Sequence, residues 1–369
     1  MNILLAHYTE ITSPGGIHKT IREIAKNLSR KHEVNIIQGN PLNLPEVEYY
    51  EGYTINRFKS KLGDQLFGFS PEMYFYFKKF LKKLKPDIIH VHGYHKFFSP
   101  EIIYFTKKIE PKIPVVFSPH LDIYRSSFAG KYLWNIYNLF GKTAFDRSSY
   151  ITSCSNFEAQ TIINEYNIDK EKLSIINHGV NLFKQNNFNK NEKINLVYSG
   201  HLIDRKGIDF ILKGLQSLIY ELNINNVNLT IIGEGPEKEK LVKLSNDLKL
   251  NDYIVWKPFL ARDEFIDEIT KADIFMLLSN SEAYGIVIAE SLALGTPCIV
   301  ANRAALTELT EENGCFGVDY PPNPKEVANL ILKIYKRNIT AGPLSKKIKS
   351  WHEVVKDYEK LYLELLASK

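Results

Sequence analysis

The 369-residue chain contains only three cysteines, Cys154, Cys298 and Cys315, and their positions exclude several kinds of site. They lie far apart, without C-x-x-C or metal-ligand spacing, and two of them sit in apolar, strand-like runs. We therefore predict reduced core thiols in a cytoplasmic protein. No apolar run is long enough to cross a membrane. The start, MNILLAHYTE, has the pattern of a buried strand and not of a signal peptide.

Several catalytic motifs are also missing. There is no P-loop, no G-x-S-x-G and no H-E-x-x-H, which argues against several classes of kinase and hydrolase. No D-x-D pair occurs, and this pair is the common metal clamp for a nucleotide sugar, so we expect no metal. The net charge of +5 is modest and no basic reading helix or RNA-binding aromatic motif is found, so we predict no nucleic-acid partner.

Short apolar strands alternate with amphipathic helices along almost the whole chain. This pattern predicts an α/β fold in which parallel sheets carry helices on both faces. The length suits two domains, each with its own core. We predict a first domain over residues 1–180, a polar linker over 181–193 and a second domain over 194–349. The last predicted helix is amphipathic, and we expect residues 350–369 to pack back on the first domain.

The predicted elements place glycines, cations and histidines at strand ends. The predicted strands are 2–6, 33–38, 87–92, 115–119, 150–153 and 173–176 in the first domain, and 194–199, 227–232, 254–256, 274–278 and 298–300 in the second. The predicted helices are 17–29, 72–84, 208–220, 236–248 and 351–366. Ligands of such folds bind beyond the carboxyl ends of the strands.

The segment SNSEAYGIVIAESLALGTPCIV, residues 279–300, has two glutamates on either side of a predicted helix start. Gly285 precedes the apolar start of the helix, and Gly295 ends it before the next strand. The free N–H groups of a helix N-terminus attract phosphate. If Glu282 and Glu290 follow one helical path, they lie ~12 Å apart, enough for one acid to bind each sugar of a nucleotide sugar. Alone, such a pair is more often two ordinary surface residues.

Glycines and cations follow other predicted strands. A glycine pair ending in Gly16 opens the first helix, and glycine lets the backbone approach a phosphate closely. In SGHLIDRKG, residues 199–207, the adjacent cations Arg205 and Lys206 can neutralise a departing diphosphate. The turn GEGP, residues 233–236, follows the next strand. Each segment can also be an ordinary turn or solvated loop.

Three histidines lie at strand ends in the first domain. His120 follows a strand in SPHLD, and His92 and His95 end the preceding strand in HVHGYH. A lone histidine is more often structural than catalytic. Their clustering nevertheless indicates that this edge of the sheet lines the ligand site.

The ordered set of motifs resembles the retaining glycosyltransferases of family 4. The set comprises GGI, DIIHVHG, SPH, SG followed by RKG, IIGEGP, and SEAYGIVIAE with ALGTPCIV, and it runs over almost the whole chain. The resemblance implies a GT-B fold of two Rossmann-like domains around a cleft, with the donor held mainly by the second and the acceptor by the first. It implies a retaining hexosyltransferase of glycoconjugate synthesis without a cofactor, its nucleoside-diphosphate sugar being a co-substrate.

The resemblance also implies roles for single residues. Glu290 would hold the ribose, Glu282 the transferred sugar, and Arg205 with Lys206 the diphosphate. The implied donor-binding set is Gly16, Gly200, Arg205, Lys206, Gly233, Glu282, Tyr284, Gly285, Ile286, Val287 and Glu290; the catalytic set is His120, Arg205, Lys206 and Glu282; His92 and His95 lie on the acceptor side. The chain departs from the family pattern at His201, at the segment from Asn177 and at Ala304.

Two further questions stay open at the level of sequence. The segment Met73–Lys85, MYFYFKKFLKKLK, fits a helix on an anionic membrane surface, which would suit a glycan or lipid-linked acceptor, and fits equally well an ordinary surface helix. The protein would then be cytoplasmic and peripheral to the membrane. The rival functions are another GT-B enzyme, such as a nucleotide-sugar epimerase or a glycan phosphorylase, and a non-catalytic nucleotide-sugar binding module.

Overall fold

The computed structural model describes residues 1–60, 68, 70, 72–94, 96–121, 137–138, 141–181 and 193–368. It divides the chain into two compact units, one formed by Met1–Gly179 with Lys349–Lys369 and the other by Val180–Ile348. Most of the predicted linker, residues 182–192, lies outside the described residues, and so does His95.

The first unit is built on one eight-stranded sheet. Its strands are β1 (Asn2–Ala6), β2 (Glu33–Gly39), β3 (Val47–Tyr50), β4 (Tyr53–Phe58), β5 (Ile88–His92), β6 (Val115–Ser118), β7 (Tyr150–Ser153) and β8 (Leu173–Ile175). They lie in the order β3-β4-β2-β1-β5-β6-β7-β8, and each neighbouring pair is parallel except β3 with β4. The helices of this unit include Gly16–Leu28, Met73–Leu84, Phe98–Ile109, Asn156–Tyr166 and Trp351–Ala367.

Both faces of this sheet are buried, as expected of a parallel sheet covered by helices. Successive strand residues point to opposite faces, so Leu4 joins one core cluster and Ile3 the other. The second cluster also contains Trp351 and Tyr358. The last helix therefore covers one face of the first unit, beside the helix Gly16–Leu28.

The second unit is built on a six-stranded sheet in which all neighbouring strands are parallel. Its strands are β9 (Ile194–Ser199), β10 (Val227–Ile232), β11 (Ile254–Lys257), β12 (Ile274–Leu277), β13 (Cys298–Ala301) and β14 (Cys315–Val318), in the order β11-β10-β9-β12-β13-β14. Its helices are Ile208–Tyr220, Lys238–Asp247, Arg262–Lys271, Ile286–Ala293, Leu306–Leu309 and Pro324–Lys336.

Each sheet contains a topological switch point. In the first unit the chain builds outward from β1 towards β2 and later from β1 towards β5. In the second unit it builds from β9 towards β10 and later from β9 towards β12. Open α/β sheets bind ligands beyond the carboxyl ends of the strands at such points. The loops after β1 and β5, and those after β9 and β12, are therefore where a ligand site is expected.

The predicted α/β fold with parallel sheets is confirmed. The β3–β4 hairpin and strand β14 were not predicted from the sequence pattern. Within the described parts of the chain, no helix combines the length and apolarity needed to cross a bilayer. All three cysteines are buried and none of them forms a disulfide, as predicted for core thiols.

Candidate functional site

The switch point of the second unit holds a nearly buried ion pair. Lys206 ends a short 3-10 turn after β9, and Glu282 lies in the loop after β12. Lys206 Nζ is 2.5 Å from Glu282 Oε1, and the two side chains are only 15% and 12% exposed. Two loops far apart in sequence thus meet through opposite charges.

Arg205 joins the same two loops through the backbone. Its Nη1 donates to the carbonyl oxygen of Ser281 at 2.8 Å. Its own carbonyl oxygen accepts from the Asn280 N–H at 2.7 Å and from Ser279 Oγ at 3.0 Å. The predicted cations are therefore held at the edge of the sheet by a fixed set of contacts.

The charge state of Glu282 follows from these neighbours. Burial alone would raise the pKa of its carboxyl, but the positive charges of Lys206 and Arg205 outweigh burial and lower it below the usual 4.5. Burial and the charge of Lys206 also lower the pKa of His201. The site therefore presents a carboxylate between two cations, beside a neutral imidazole.

The glycines at the strand ends have a packing reason of their own. A Cβ atom on Gly233 would lie 2.0 Å from the Gly200 carbonyl oxygen, and one on Gly207 would lie 1.9 Å from the Leu278 carbonyl oxygen. Gly207 also has φ of 66°, a left-handed conformation that favours glycine. A side chain at either position would therefore collide with the neighbouring backbone, whether or not a ligand is bound.

The helix Ile286–Ala293 points its N-terminus to this edge. Its cap, Gly285, has φ of 96°, and a Cβ there would lie 2.7 Å from Leu306 Cδ2. Tyr284, which directly precedes Gly285, is buried. The first N–H groups of a helix have no partner within the helix, so those of Ile286 and Val287 are suited to bind an anion.

The two glutamates do not share one helical path. The helix begins at Ile286, four residues after Glu282, so Glu282 lies in the loop and only Glu290 is helical. The expected separation of ~12 Å assumed that both glutamates follow one helix, and this assumption was wrong. The loop conformation before Gly285 sets the position of Glu282 instead.

Glu290 has a partner that sequence reasoning missed. It is buried, and Arg262 Nη2 donates to its Oε1. Arg262 begins the helix that follows β11, and its guanidinium lies 5.4 Å from the centre of the Phe265 ring. The only signal in the sequence was a cation at a helix start beyond a strand, 28 residues from Glu290.

The switch point of the first unit brings a polar cluster to the start of its first helix. Gly16 is the first residue of that helix, as predicted within one residue. Thr9 Oγ1 lies 2.7 Å from His18 Nε2 and 2.8 Å from His7 Nε2. Thr9 therefore links two imidazoles, one of which, His18, lies in the first turn of the helix that Gly16 begins.

Histidines form a stack at the neighbouring strand ends. His92 Nδ1 lies 3.1 Å from His120 Nε2, and the His120 ring is stacked on His178 with 5.3 Å between ring centres. Burial lowers the pKa of His178 to about 3 and that of His92 well below 6.5, so both stay neutral. Two of the three predicted histidines thus come together, and His178 joins them.

A buried carboxylate fixes the loops that carry this stack. Glu158 Oε1 accepts from the Leu121 N–H at 2.5 Å, and its Oε2 accepts from the Cys154 N–H at 2.7 Å. Leu121 directly follows His120, whose φ of 50° is left-handed. Glu158 therefore holds the turn after β6 against the turn after β7.

Two family models match consecutive parts of the chain. Glycosyltransferase Family 4 matches residues 14–183, and Glycosyl transferases group 1 matches residues 180–351. N-acetyl-alpha-D-glucosaminyl L-malate synthase of Bacillus anthracis is 23% identical over an alignment of 386 positions that covers 96% of this chain and 95% of that protein.

Solved structures share the fold over the whole length. Sucrose-phosphate synthase from Thermosynechococcus elongatus superposes with a TM-score of 0.80 at 18% identity, covering 100% of this chain and 99% of that one. HepE of Anabaena in complex with UDP-glucose superposes with a TM-score of 0.70 at 17% identity, with 100% and 99% coverage. The two models together span residues 14–351, nearly the whole chain, and the chain belongs to the family 4 glycosyltransferases, with a GT-B fold.

Proposed function

We propose that this glycosyltransferase moves a hexose from a nucleoside-diphosphate sugar to an acceptor hydroxyl, with retention of the anomeric configuration and without a metal. The observation that carries the proposal is the arrangement at the switch point of the second unit. There the Lys206–Glu282 ion pair, Arg205 and a helix N-terminus lie at the carboxyl edge of one sheet. Cations and free N–H groups together suit a diphosphate.

The two carboxylates support a donor with two sugars. Glu282 remains ionised and can accept hydrogen bonds from hydroxyls of the transferred hexose. Glu290 is buried and paired with Arg262, and its carboxylate is the group proposed to accept hydrogen bonds from the ribose hydroxyls. The solved complex of HepE with UDP-glucose, a protein of the same fold, agrees with a nucleotide-sugar donor.

The proposed mechanism lowers the barrier through fixed charges. As the bond from the anomeric carbon to the phosphate oxygen breaks, negative charge develops on the leaving diphosphate. Lys206 and Arg205 are held in place by their contacts before the reaction, so they stabilise this charge with little reorganisation. The acceptor oxygen attacks the same face of the oxocarbenium-like sugar, and the leaving phosphate oxygen takes the acceptor proton.

The remaining predicted groups, Gly16 and His120, belong to the first unit. Gly16 would give its backbone N–H to the phosphate, and His120 would contact the sugar near the reacting carbon. Glu158 holds the turn that carries His120, which makes it a positioning residue in this proposal.

A donor screen followed by turnover tests the proposal. A matched nucleoside diphosphate sugar should raise the melting temperature of the protein, because a ligand that binds only the folded state stabilises it. Release of nucleoside diphosphate from that donor should continue in excess EDTA. Stabilisation without hydrolysis or transfer would favour the binding module, interconversion of sugar epimers would favour an epimerase, and a yellow protein with bound pyridoxal phosphate would favour a phosphorylase.

We also propose an anionic lipid surface as the place of the acceptor. In the helix Met73–Leu84 the residues Met73, Phe77 and Leu81 are buried, as an ordinary surface helix requires. Phe75, however, is 75% exposed. The exposed lysines of the same segment are Lys78, Lys79, Lys82, Lys83 and Lys85.

The neighbouring helix extends this surface. Tyr104 is 41% exposed, and the Arg147 guanidinium lies over its ring at 5.1 Å. Lys108 Nζ lies over the ring of Tyr74 at 5.2 Å. Exposed aromatic rings between cations suit the interface of an anionic bilayer, so we propose a peripheral protein with a lipid-linked acceptor.

A further inference from the structure

Three potential metal ligands converge where three neighbouring strands of the first unit end. His120 follows β6, Cys154 follows β7 and His178 follows β8, and these strands are adjacent and parallel. One ligand atom of each side chain lies within 4.8 Å of those of the other two, and all three residues are buried. The topology of the sheet, and not nearness in sequence, brings them together.

Each of these three side chains is oriented by a polar contact with a residue outside the cluster. His120 Nε2 is 3.1 Å from His92 Nδ1, and His178 Nδ1 is 3.1 Å from Thr20 Oγ1. Cys154 Sγ donates to Glu158 Oε2 at 3.0 Å. Metal-binding histidines are commonly held in this way through the ring nitrogen that does not bind the metal. A metal would then be bound through His120 Nδ1, His178 Nε2 and Cys154 Sγ.

We propose that His120, Cys154 and His178 form a binding site for Zn²⁺ or a similar thiophilic divalent cation, and that the bound ion inhibits the enzyme. Two imidazoles and a thiolate are a donor set that Zn²⁺ prefers. Tetrahedral coordination with ordinary Zn–N and Zn–S lengths puts donor atoms about 3.3 to 3.6 Å apart. The observed separations, all within 4.8 Å, need side-chain shifts of about 1 Å.

The binding step exchanges a proton for the metal. The S–H bond of Cys154 breaks and an S–Zn bond forms, while both imidazoles donate a lone pair and lose nothing. The thiol proton passes to Glu158, which already accepts its hydrogen bond, and from there to water. One proton is thus released for each ion bound.

Inhibition rests on the proposed function, whereas metal binding does not. His120 is the histidine expected to contact the transferred sugar, and a metal on its Nδ1 would fix the ring against Cys154 and His178. The site would then be regulatory, and it is compatible with a transfer step that uses no metal.

The test uses the full chain, freed of metal by a chelator and then titrated with Co²⁺ or Zn²⁺ alone. Co²⁺ should bind one to one and give the near-ultraviolet charge-transfer band of a thiolate ligand, and Zn²⁺ should displace it. Cys154→Ser keeps a hydroxyl donor for Glu158 but removes the soft ligand, so it should fold, lose the band and bind at least tenfold more weakly. Cys315→Ser, at another buried cysteine, is the matched control and should bind like the wild type.

Activity is measured separately on protein that first shows turnover. Zn²⁺ should inhibit the wild type and Cys315→Ser at stoichiometric amounts, with recovery in EDTA, and should inhibit Cys154→Ser only at higher concentration. The proposed site is overturned if the wild type binds no Co²⁺ with a thiolate band, or if Cys154→Ser binds as tightly as the wild type. Binding without inhibition would overturn the regulatory role alone, and an inactive wild type that binds Co²⁺ would count against the proposed function but not against the site.

Discussion

Lys206 and Glu282 form an ion pair, so a substitution of one alone would change both folding stability and turnover. Removing Lys206 alone leaves a nearly buried carboxylate without its partner, which typically costs about 3–5 kcal/mol of folding stability. The double variant Lys206→Met with Glu282→Gln replaces the pair by neutral groups of similar size. It separates the functional loss of the pair, which combines the phosphate clamp with the sugar contact of Glu282, from loss of folding.

We expect this double variant to fold and to lose at least about 100-fold in turnover, because removal of one group that stabilises developing charge has effects of that size. Nucleoside diphosphate release and a thermal melt measure the two quantities. The control is Lys271→Met with Asp267→Asn, which removes an exposed pair in the same unit. Turnover equal to that of the control would remove Lys206 from the proposed clamp.

Arg262 tests whether the ribose site includes more than the predicted glutamate. Its guanidinium fixes the buried Glu290 carboxylate, and we expect Arg262→Ala to raise the donor KM about tenfold, or about 1.4 kcal/mol, with a smaller change in kcat. Arg337→Ala, at an exposed arginine after the helix Pro324–Lys336, is the control. Steady-state kinetics with the matched donor measure the KM of both variants. An unchanged or lower KM for Arg262→Ala would mean that Arg262 only pairs with Glu290 until the ribose displaces it.

At the scale of elements, the start of the helix Phe98–Ile109 buries a carboxyl group. Burial raises the pKa of Glu101 to about 8, against a hydrogen bond from the Ser70 N–H. Between pH 4.5 and 8 the folded state therefore holds a proton that the unfolded state has released, so the free energy of unfolding falls as the pH rises through this range.

Glu101→Gln should remove this dependence. We expect the variant to gain stability relative to the wild type as the pH is raised from about 5 to about 8, since the amide needs no proton to stay neutral. Urea unfolding at several pH values measures the difference, with Glu110→Gln, an exposed glutamate after the same helix, as the control for loss of one charge. A constant difference across this range would contradict the burial argument.

Most strands were predictable because they are short, apolar and punctuated by turn residues. The β3–β4 hairpin was not, since Arg57 interrupts its pattern with a charge. In the structure Arg57 is buried in β4 and donates from Nε to Glu10 Oε2 at 2.8 Å, a residue 47 positions away. A sequence pattern cannot show that a charged residue in a strand will be buried and paired with an acid distant in sequence.

The residues of the candidate site likewise fall into those that the sequence predicts and those that it does not. The strand-end positions of Arg205, Lys206 and Glu282 could be predicted, because parallel strands deliver their following residues to one edge. The Arg262–Glu290 pair could not, because it joins two different strand-helix connections. The convergence of His178 with His120 depends likewise on the strand order, which periodicity does not reveal.

At the scale of the whole molecule, we propose that the two units bind different partners. The exposed Phe75 predicts that the protein binds vesicles of anionic lipid at low salt and leaves them at high salt, because both insertion and charge attraction contribute. Phe75→Ser should sediment less with such vesicles. Tyr49→Ser, at an aromatic residue that is 76% exposed elsewhere in the same unit, should sediment like the wild type. Equal sedimentation of all three proteins, or none, would exclude this surface.

Retaining transfer from a nucleoside-diphosphate sugar fixes the anomer of the first product, so the stereochemistry of that product is the decisive measurement. Slow hydrolysis of a matched α-linked donor needs no knowledge of the acceptor, because water takes its place. Proton NMR followed from the first minutes, in the presence of EDTA, distinguishes the anomers before they equilibrate. If the enzyme retains the configuration, the α anomer appears first, together with an equal amount of nucleoside diphosphate. First appearance of the β anomer, or no consumption of any donor that stabilises the fold, would contradict retaining transfer.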